Sequence, residues 1–332
     1  MSVEPNLSLC VSVIELARVA AARLTVRDAT LGFSRLAAPQ RTALQTQADR
    51  WDEIAGGLLQ RWRAQPRGPA RQLAAMARSD DELILFALAS APQIDRTLGR
   101  AYKSLSGVTE LTVGVLLDLA SPQLDVRLQL VRHLHGDRAL RASGLLELPR
   151  RGPAMLDDVV TVAPSAIAAL RNEPIAAPGP VAAEGHQLPD ELIEVVEAAV
   201  QLPRWRAGKL SIVAGPPAER EAVLTVRSAL DRRPVWHVAD PVSDMASWCR
   251  DASLSGAHLV LPWANRLDAL RHSAAWTQAA VVIACDSGTL PPESGADSPP
   301  VLTTAIRGAA TPGLSRSLPP GSVRTALETL GF

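Results

Sequence analysis

The sequence predicts an α/β protein in which an all-helical N-terminal part precedes a domain built on a parallel sheet. Three observations carry that prediction. Apolar residues recur at helical spacing through the first half of the chain. Beyond position 210, short apolar runs alternate with stretches of about a dozen residues at helical period, the pattern of βαβ units. Between the two, 172–189 holds Pro174, Pro178, Gly179, Pro180 and Gly185, a linker composition. The expected division is a helical hairpin over 1–66, a helical domain over 67–172, a linker over 173–189 and an α/β domain over 190–332.

In the N-terminal part, Val11, Ile14, Leu16, Ala17, Val19 and Ala20 set out a first helix over 9–24. A second, more polar helix is predicted over 40–62, weakened by Gly56 and Gly57. Two prolines and a glycine in 63–69 then punctuate the chain. Short helices follow over 71–77, 80–90, 93–105, 109–119 and 123–133. Ser79 ahead of Asp80, Asp81 and Glu82 is an N-cap followed by acids that complement the helix dipole. Ser121-Pro122 opens the helix carrying Leu124, Leu128 and Val131 in the same way. Residues 145–148 and 158–162 read as two short strands across a turn at 150–153, followed by a helix over 164–170. Helices followed by a small β-hairpin outline a winged helix.

In the C-terminal part, strands are predicted at 210–214, 235–239, 258–261 and 280–284. Helices are predicted at 218–230, 242–254 and 265–276. Such alternation gives a parallel sheet covered on both faces.

Composition narrows function. Lys plus Arg and Asp plus Glu are equal at 34 each, so no net field draws the chain to nucleic acid or an anionic membrane. The three cysteines, Cys10, Cys249 and Cys285, lack metal or disulfide spacing. The opening residues lack a basic-then-apolar leader, and no apolar run approaches the ~20 residues of a membrane span. A soluble, cytoplasmic protein is expected.

The chemistry of a nucleotide-binding α/β domain belongs in the turn after the first strand, where backbone N–H groups at a helix start face phosphates. The pattern is G-x-x-x-x-G-K-[ST]. Here the strand runs into Gly215, Pro216 and Pro217, and the second glycine falls on Arg220, the lysine on Glu221 and the magnesium-holding hydroxyl on Ala222. Glutamate in place of lysine sets an anion beside the polyphosphate. The strand that should end in carboxylates is followed instead by Pro262 and Trp263, which neither ligate a cation nor accept a proton. No catalytic residue and no cofactor are expected, ATP with magnesium included.

Gly215-Pro216-Pro217 in this strand-turn-helix setting resembles a degenerate AAA+ P-loop; an ordinary turn is the alternative. In the N-terminal part, 81–89 (Asp-Glu-Leu-Ile-Leu-Phe-Ala-Leu-Ala), Pro92-Gln93-Ile94-Asp95 and 112–119 carry a second likeness, continued by Leu134, Leu140 and 145–148. They resemble the winged-helix domain ahead of AAA+ modules in ATPases encoded with phage-tail-like contractile injection systems. The resemblance runs from about position 72 onward and implies a P-loop NTPase-like domain without its helical lid. It implies a scaffold or accessory subunit whose partners are proteins, such as an active AAA+ ATPase or a component of the injection apparatus.

Two alternatives stand beside it: an ATP-hydrolysing AAA+ protein with an atypical site, and a winged-helix DNA-binding regulator. For the second, Arg127, Arg132, Arg138, Arg141, Arg150 and Arg151 gather near the supposed wing, yet Asp125, Asp137 and Glu147 interrupt them. His133 and His135 are two apart and face different sides of a helix, so no metal is expected. Cys285-Asp286-Ser287-Gly288 reads as a loop start at the end of the fourth strand, and Trp263 as a filler of the vacated pocket or a partner anchor.

Overall fold

A computed structural model describes residues 5–65, 68–107, 110–136, 138–149, 153–175, 210–214, 220, 223–224, 227, 233–238, 245–262, 281–285 and 301–303. The chain divides into two compact units, Met1–Ile175 and Ala176–Phe332. The described part of the first is helical with a small hairpin; that of the second holds a parallel sheet and helix.

The first unit is built around α1 (Pro5–Thr30). Leu9, Val13, Leu16, Ala17, Ala20 and Leu24 recur every three or four residues and are all buried. That stripe is met by α2 (Ala38–Ala48), α3 (Trp51–Arg63), α5 (Asp80–Ile94), α6 (Arg96–Ser106) and α7 (Val113–Ala120). Residues 1–66 thus share one core with the helices that follow. The single helix expected over 40–62 is two, α2 and α3, parted at Asp49–Arg50. Gly56 and Gly57 sit inside α3 without breaking it.

Trp62 near the end of α3 is fully buried, and its indole N–H donates to the Ala70 carbonyl at 3.0 Å. Ala70 belongs to α4 (Pro69–Met76), so this bond fastens α3 to α4 across the proline-rich connection. The ring also meets Phe86 of α5 with centroids 6.0 Å apart.

Helix α5 is buried nearly all round, as its run Leu83, Leu85, Phe86, Ala87, Leu88 and Ala89 requires. The Ser79 hydroxyl accepts from the Glu82 amide at 3.2 Å, and the Glu82 carboxylate accepts from the Arg78 amide at 2.6 Å. The break expected between 90 and 93 falls instead at Asp95, and Pro92 lies within α5. Proline lacks the N–H that would bond the Leu88 carbonyl. The buried Tyr102 hydroxyl approaches that oxygen at 3.5 Å and helps satisfy it. Asp95 then caps α6, its carboxylate accepting from the Thr97 amide at 2.8 Å and the Thr97 hydroxyl at 2.6 Å.

After α7 come α8 (Leu124–Leu130), a 3-10 turn (Val131–Leu134), α9 (Ala139–Ala142), β1 (Leu146–Glu147), β2 (Thr161–Val162) and α10 (Pro164–Leu170). Strands β1 and β2 pair antiparallel with Leu146 opposite Val162, and Thr112 bridges to Val159. The connection between the strands serves α7: the Val113 and Gly114 amides donate to the Asp158 and Leu156 carbonyls at 2.9 and 2.8 Å. Two amides that every helix start leaves open are satisfied in this way.

In the second unit, β3 (Leu210–Ala214), β4 (Val235–His237), β5 (His258–Pro262), β6 (Val281–Cys285) and β7 (Val301–Thr303) form one all-parallel sheet in the order β4-β5-β6-β3-β7. Between β4 and β5 runs α11 (Met245–Ser255). Val213, Val235, Val260 and Val282 pack with Leu224 into its core. Strand β7 has no counterpart among the predicted strands; three residues behind Pro299-Pro300 are too short for a periodic signal. The helix expected over 265–276 lies outside the described residues.

Candidate functional site

In an open parallel sheet, ligands sit beyond the carboxyl ends of the strands where the winding direction reverses. From β3 the chain crosses to β4 at the far edge, returns through β5 and β6, and steps over β3 to β7. That reversal is centred on β3. The chain leaves β3 and its neighbour β6 in opposite directions along the sheet, so the carboxyl end of β3 is where a ligand is expected in this topology.

The register specifies what stands there. Ala214 ends β3 opposite Cys285 of β6 and Thr303 of β7, and Pro262 ends β5 opposite Ala284. In the following connection Arg220 is helical and half-buried, and Val223, Leu224 and Arg227 further on are helical and buried. Leu224 joins the core cluster with Val213 of β3. Helical residues therefore follow β3, and the turn between, 215–219, lies outside the described residues.

Of the residues singled out in the sequence, Arg220 and Pro262 are described; Gly215, Pro216, Pro217, Glu221 and Trp263 lie outside the described residues. Pro262 is the last residue of β5 rather than the first beyond it, one position later than the expected strand end. β4 ends opposite Val260, so no ladder partner waits for the missing Pro262 N–H on that side. Among the described residues, the strand ends β3, β5, β6 and β7 supply no carboxylate and no lysine: Ala214, Pro262, Cys285 and Thr303.

The other cysteines offer no nucleophile. Cys249 on α11 is buried, and burial pushes its thiol up to about 12. The half-buried Cys10 thiol donates to the Leu170 carbonyl at 3.6 Å and is likewise raised by burial.

Among the described residues, two of the arginines considered for DNA are engaged within the fold. Arg127 pairs with Asp118, which also holds Arg27 of α1 at 2.9 Å. Arg141 donates to the Leu134 carbonyl at 3.3 Å. Arg132 and Arg138 are exposed, while Arg150 and Arg151 lie outside the described residues. The outward face of α8 instead presents Leu124 and Leu128, 64% and 60% exposed. His133 ties the 3-10 turn to α5, its ring nitrogens 3.4 Å from Glu82 and 3.7 Å from Asp81. Among the described residues no three His, Cys, Asp or Glu side chains converge on a metal position, and no helix is long and apolar enough to cross a membrane.

One feature was not anticipated. A cleft of about 270 Å³ is lined by Arg63, Arg71 and Arg78 over a floor that includes Ala74, Ala77 and Leu83. Spacings of eight and seven residues along helical segments were the available signal. Arg63 pairs with Asp80 and Arg71 donates to the Arg63 carbonyl, so these guanidinium groups bind the α3–α4–α5 corner together.

Against this geometry, no family model, no curated protein and no solved structure matches the chain.

Proposed function

We propose that this protein is a non-catalytic, AAA+-like scaffold or accessory subunit that acts by binding other proteins, with an active ATPase or a contractile injection apparatus as the system it serves. The observation that carries the reading is the sheet. Numbered along the chain, its five parallel strands lie in the order 2-3-4-1-5, with the first strand inside the sheet and helical residues after it. The position of a P-loop is kept in that scaffold while its chemistry is gone, with Arg220, Glu221 and Ala222 where glycine, lysine and a hydroxyl residue would stand.

The winged-helix part of the reading is supported by element order. Helices α5 and α6 are followed by the Thr112 bridge, α7, α8 with its 3-10 turn, and the β1–β2 hairpin. A regulator reading DNA is less well supported, because a groove-reading helix needs cations and hydrogen-bond donors where α8 exposes leucines.

Turnover separates this reading from an atypical ATPase. Purified full-length protein with ATP and magnesium is expected to release phosphate at the rate of the buffer control, with Glu221→Ala indistinguishable from it. Steady turnover by the wild-type chain, lost in a Glu221→Ala or Arg220→Ala variant, would overturn the proposal.

A further inference from the structure

We infer that the cleft at the α3–α4–α5 corner takes a carboxylate side chain from an acidic segment of a partner protein, with Arg71 as the cation that holds it. This names the chemistry of one partner contact and rests on the scaffold reading only in taking that partner to be a protein.

Arg71, Ala74 and Ala75 stand three and four residues apart and share one face of α4. Arg63 at the end of α3 and Arg78 after α4 complete the rim, and all three arginines are exposed. Ala77 and Leu83, also in the lining, are buried. The cleft measures about 270 Å³, below the ~300–1,000 Å³ usual for small-molecule pockets. That size suits a single side chain with a short apolar stem.

The lining sets three arginines beside one carboxylate, that of Asp80. Asp80 pairs with Arg63, so the cleft already shows the contact its cations make with a carboxylate. The next acids along α5 are turned elsewhere, Asp81 and Glu82 to His133. Arg71 has no carboxylate partner among the described residues. It donates to the Arg63 carbonyl, a neutral acceptor, which uses one donor of a fork that has several. That bond also holds the guanidinium in place before a partner arrives, so less freedom is lost on binding. A planar guanidinium takes a carboxylate through two parallel N–H bonds. The methylene stem of an acidic side chain has Ala74 and Leu83 to lie against. Because the arginines are exposed, the contact is weak on its own and sensitive to salt.

Fluorescence anisotropy of a labelled, end-capped peptide carrying adjacent glutamates among serines and alanines, titrated with the full chain, tests this. Saturable binding with a Kd of about 10 µM to 1 mM is expected, and the same peptide with glutamines should bind at least about tenfold more weakly. Arg71→Gln should also cost at least about tenfold. Ala75→Glu, at an exposed position one turn from Arg71, offers that guanidinium a carboxylate within the chain and should weaken binding to a similar extent. Circular dichroism of each variant checks that the fold is retained. No binding at chain concentrations up to about 1 mM would overturn the inference. So would an affinity unmoved by Arg71→Gln or Ala75→Glu, or a glutamine peptide that binds as tightly as the glutamate one. A phosphothreonine peptide that binds through Arg71 when the glutamate peptide does not would also overturn it, assigning the cleft to phosphoryl groups. These readouts are independent of ATP turnover: a chain that neither hydrolyses ATP nor binds the peptide loses this inference and keeps the scaffold reading.

Discussion

Asp95 shows how much one side chain settles. It ends α5, caps α6, accepts two hydrogen bonds from Thr97 and lies 3.6 Å from Arg18 of α1. The Thr97 hydrogen bonds, with Arg18 contributing less, hold its carboxyl below the ordinary value of about 3.9. A carboxyl depressed in the folded state stabilises that state above its unfolded value, and the gain is lost as pH falls through the lower folded value. The melting temperature should therefore decline below about pH 4, and Asp95→Asn should flatten part of that decline. Thermal melts of both proteins from pH 6 to 2 read this out; parallel curves would show that Asp95 contributes nothing to the acid limb. From the sequence, Asp95 was placed inside a run of family likeness rather than at a cap. Pro92 lies in the last turn of α5, where a proline leaves only one carbonyl to satisfy.

At the scale of elements, legibility followed the strength of local signals. The start of α5 was readable because Ser79, three acids and an apolar run agree. Replacing Ser79 by Ala should cost about 1 kcal/mol, measured as a lower denaturation midpoint with an unchanged m-value. An unaltered midpoint would mean that the Glu82 bond to the Arg78 amide suffices. The β1–β2 hairpin and strands β3 to β6 were also legible to within three residues at their ends, since apolar runs between turn residues are distinctive. The break between α2 and α3 was not, because Asp49–Arg50 carries no glycine or proline. It is fixed by tertiary packing: both helices lie against α1, where Arg23 stacks over Trp51 and Arg61 donates to the Ser12 hydroxyl. The β7 strand escaped notice for a related reason. Three residues become a strand only by adding to the edge beside β3, which no local pattern announces.

For the whole molecule, the change of period near position 210 pointed to a parallel sheet, and the described strands of that part do pair in parallel. It could not reveal strand order, which depends on pairing between residues as far apart as Ala214 and Cys285. The candidate site was legible as a position, the end of β3, because strand-turn-helix succession is local. What surrounds it was less so: Cys285 and Thr303 reach the same sheet end through register alone. On the proposed function, the end of β3 lacks the lysine and the hydroxyl that hold a nucleotide, Glu221 and Ala222 standing in their places. Titration calorimetry of ATP, with magnesium, into the intact protein is the sharpest test. No saturable heat is expected; a one-to-one, magnesium-dependent isotherm that Arg220→Ala abolishes would overturn the proposal.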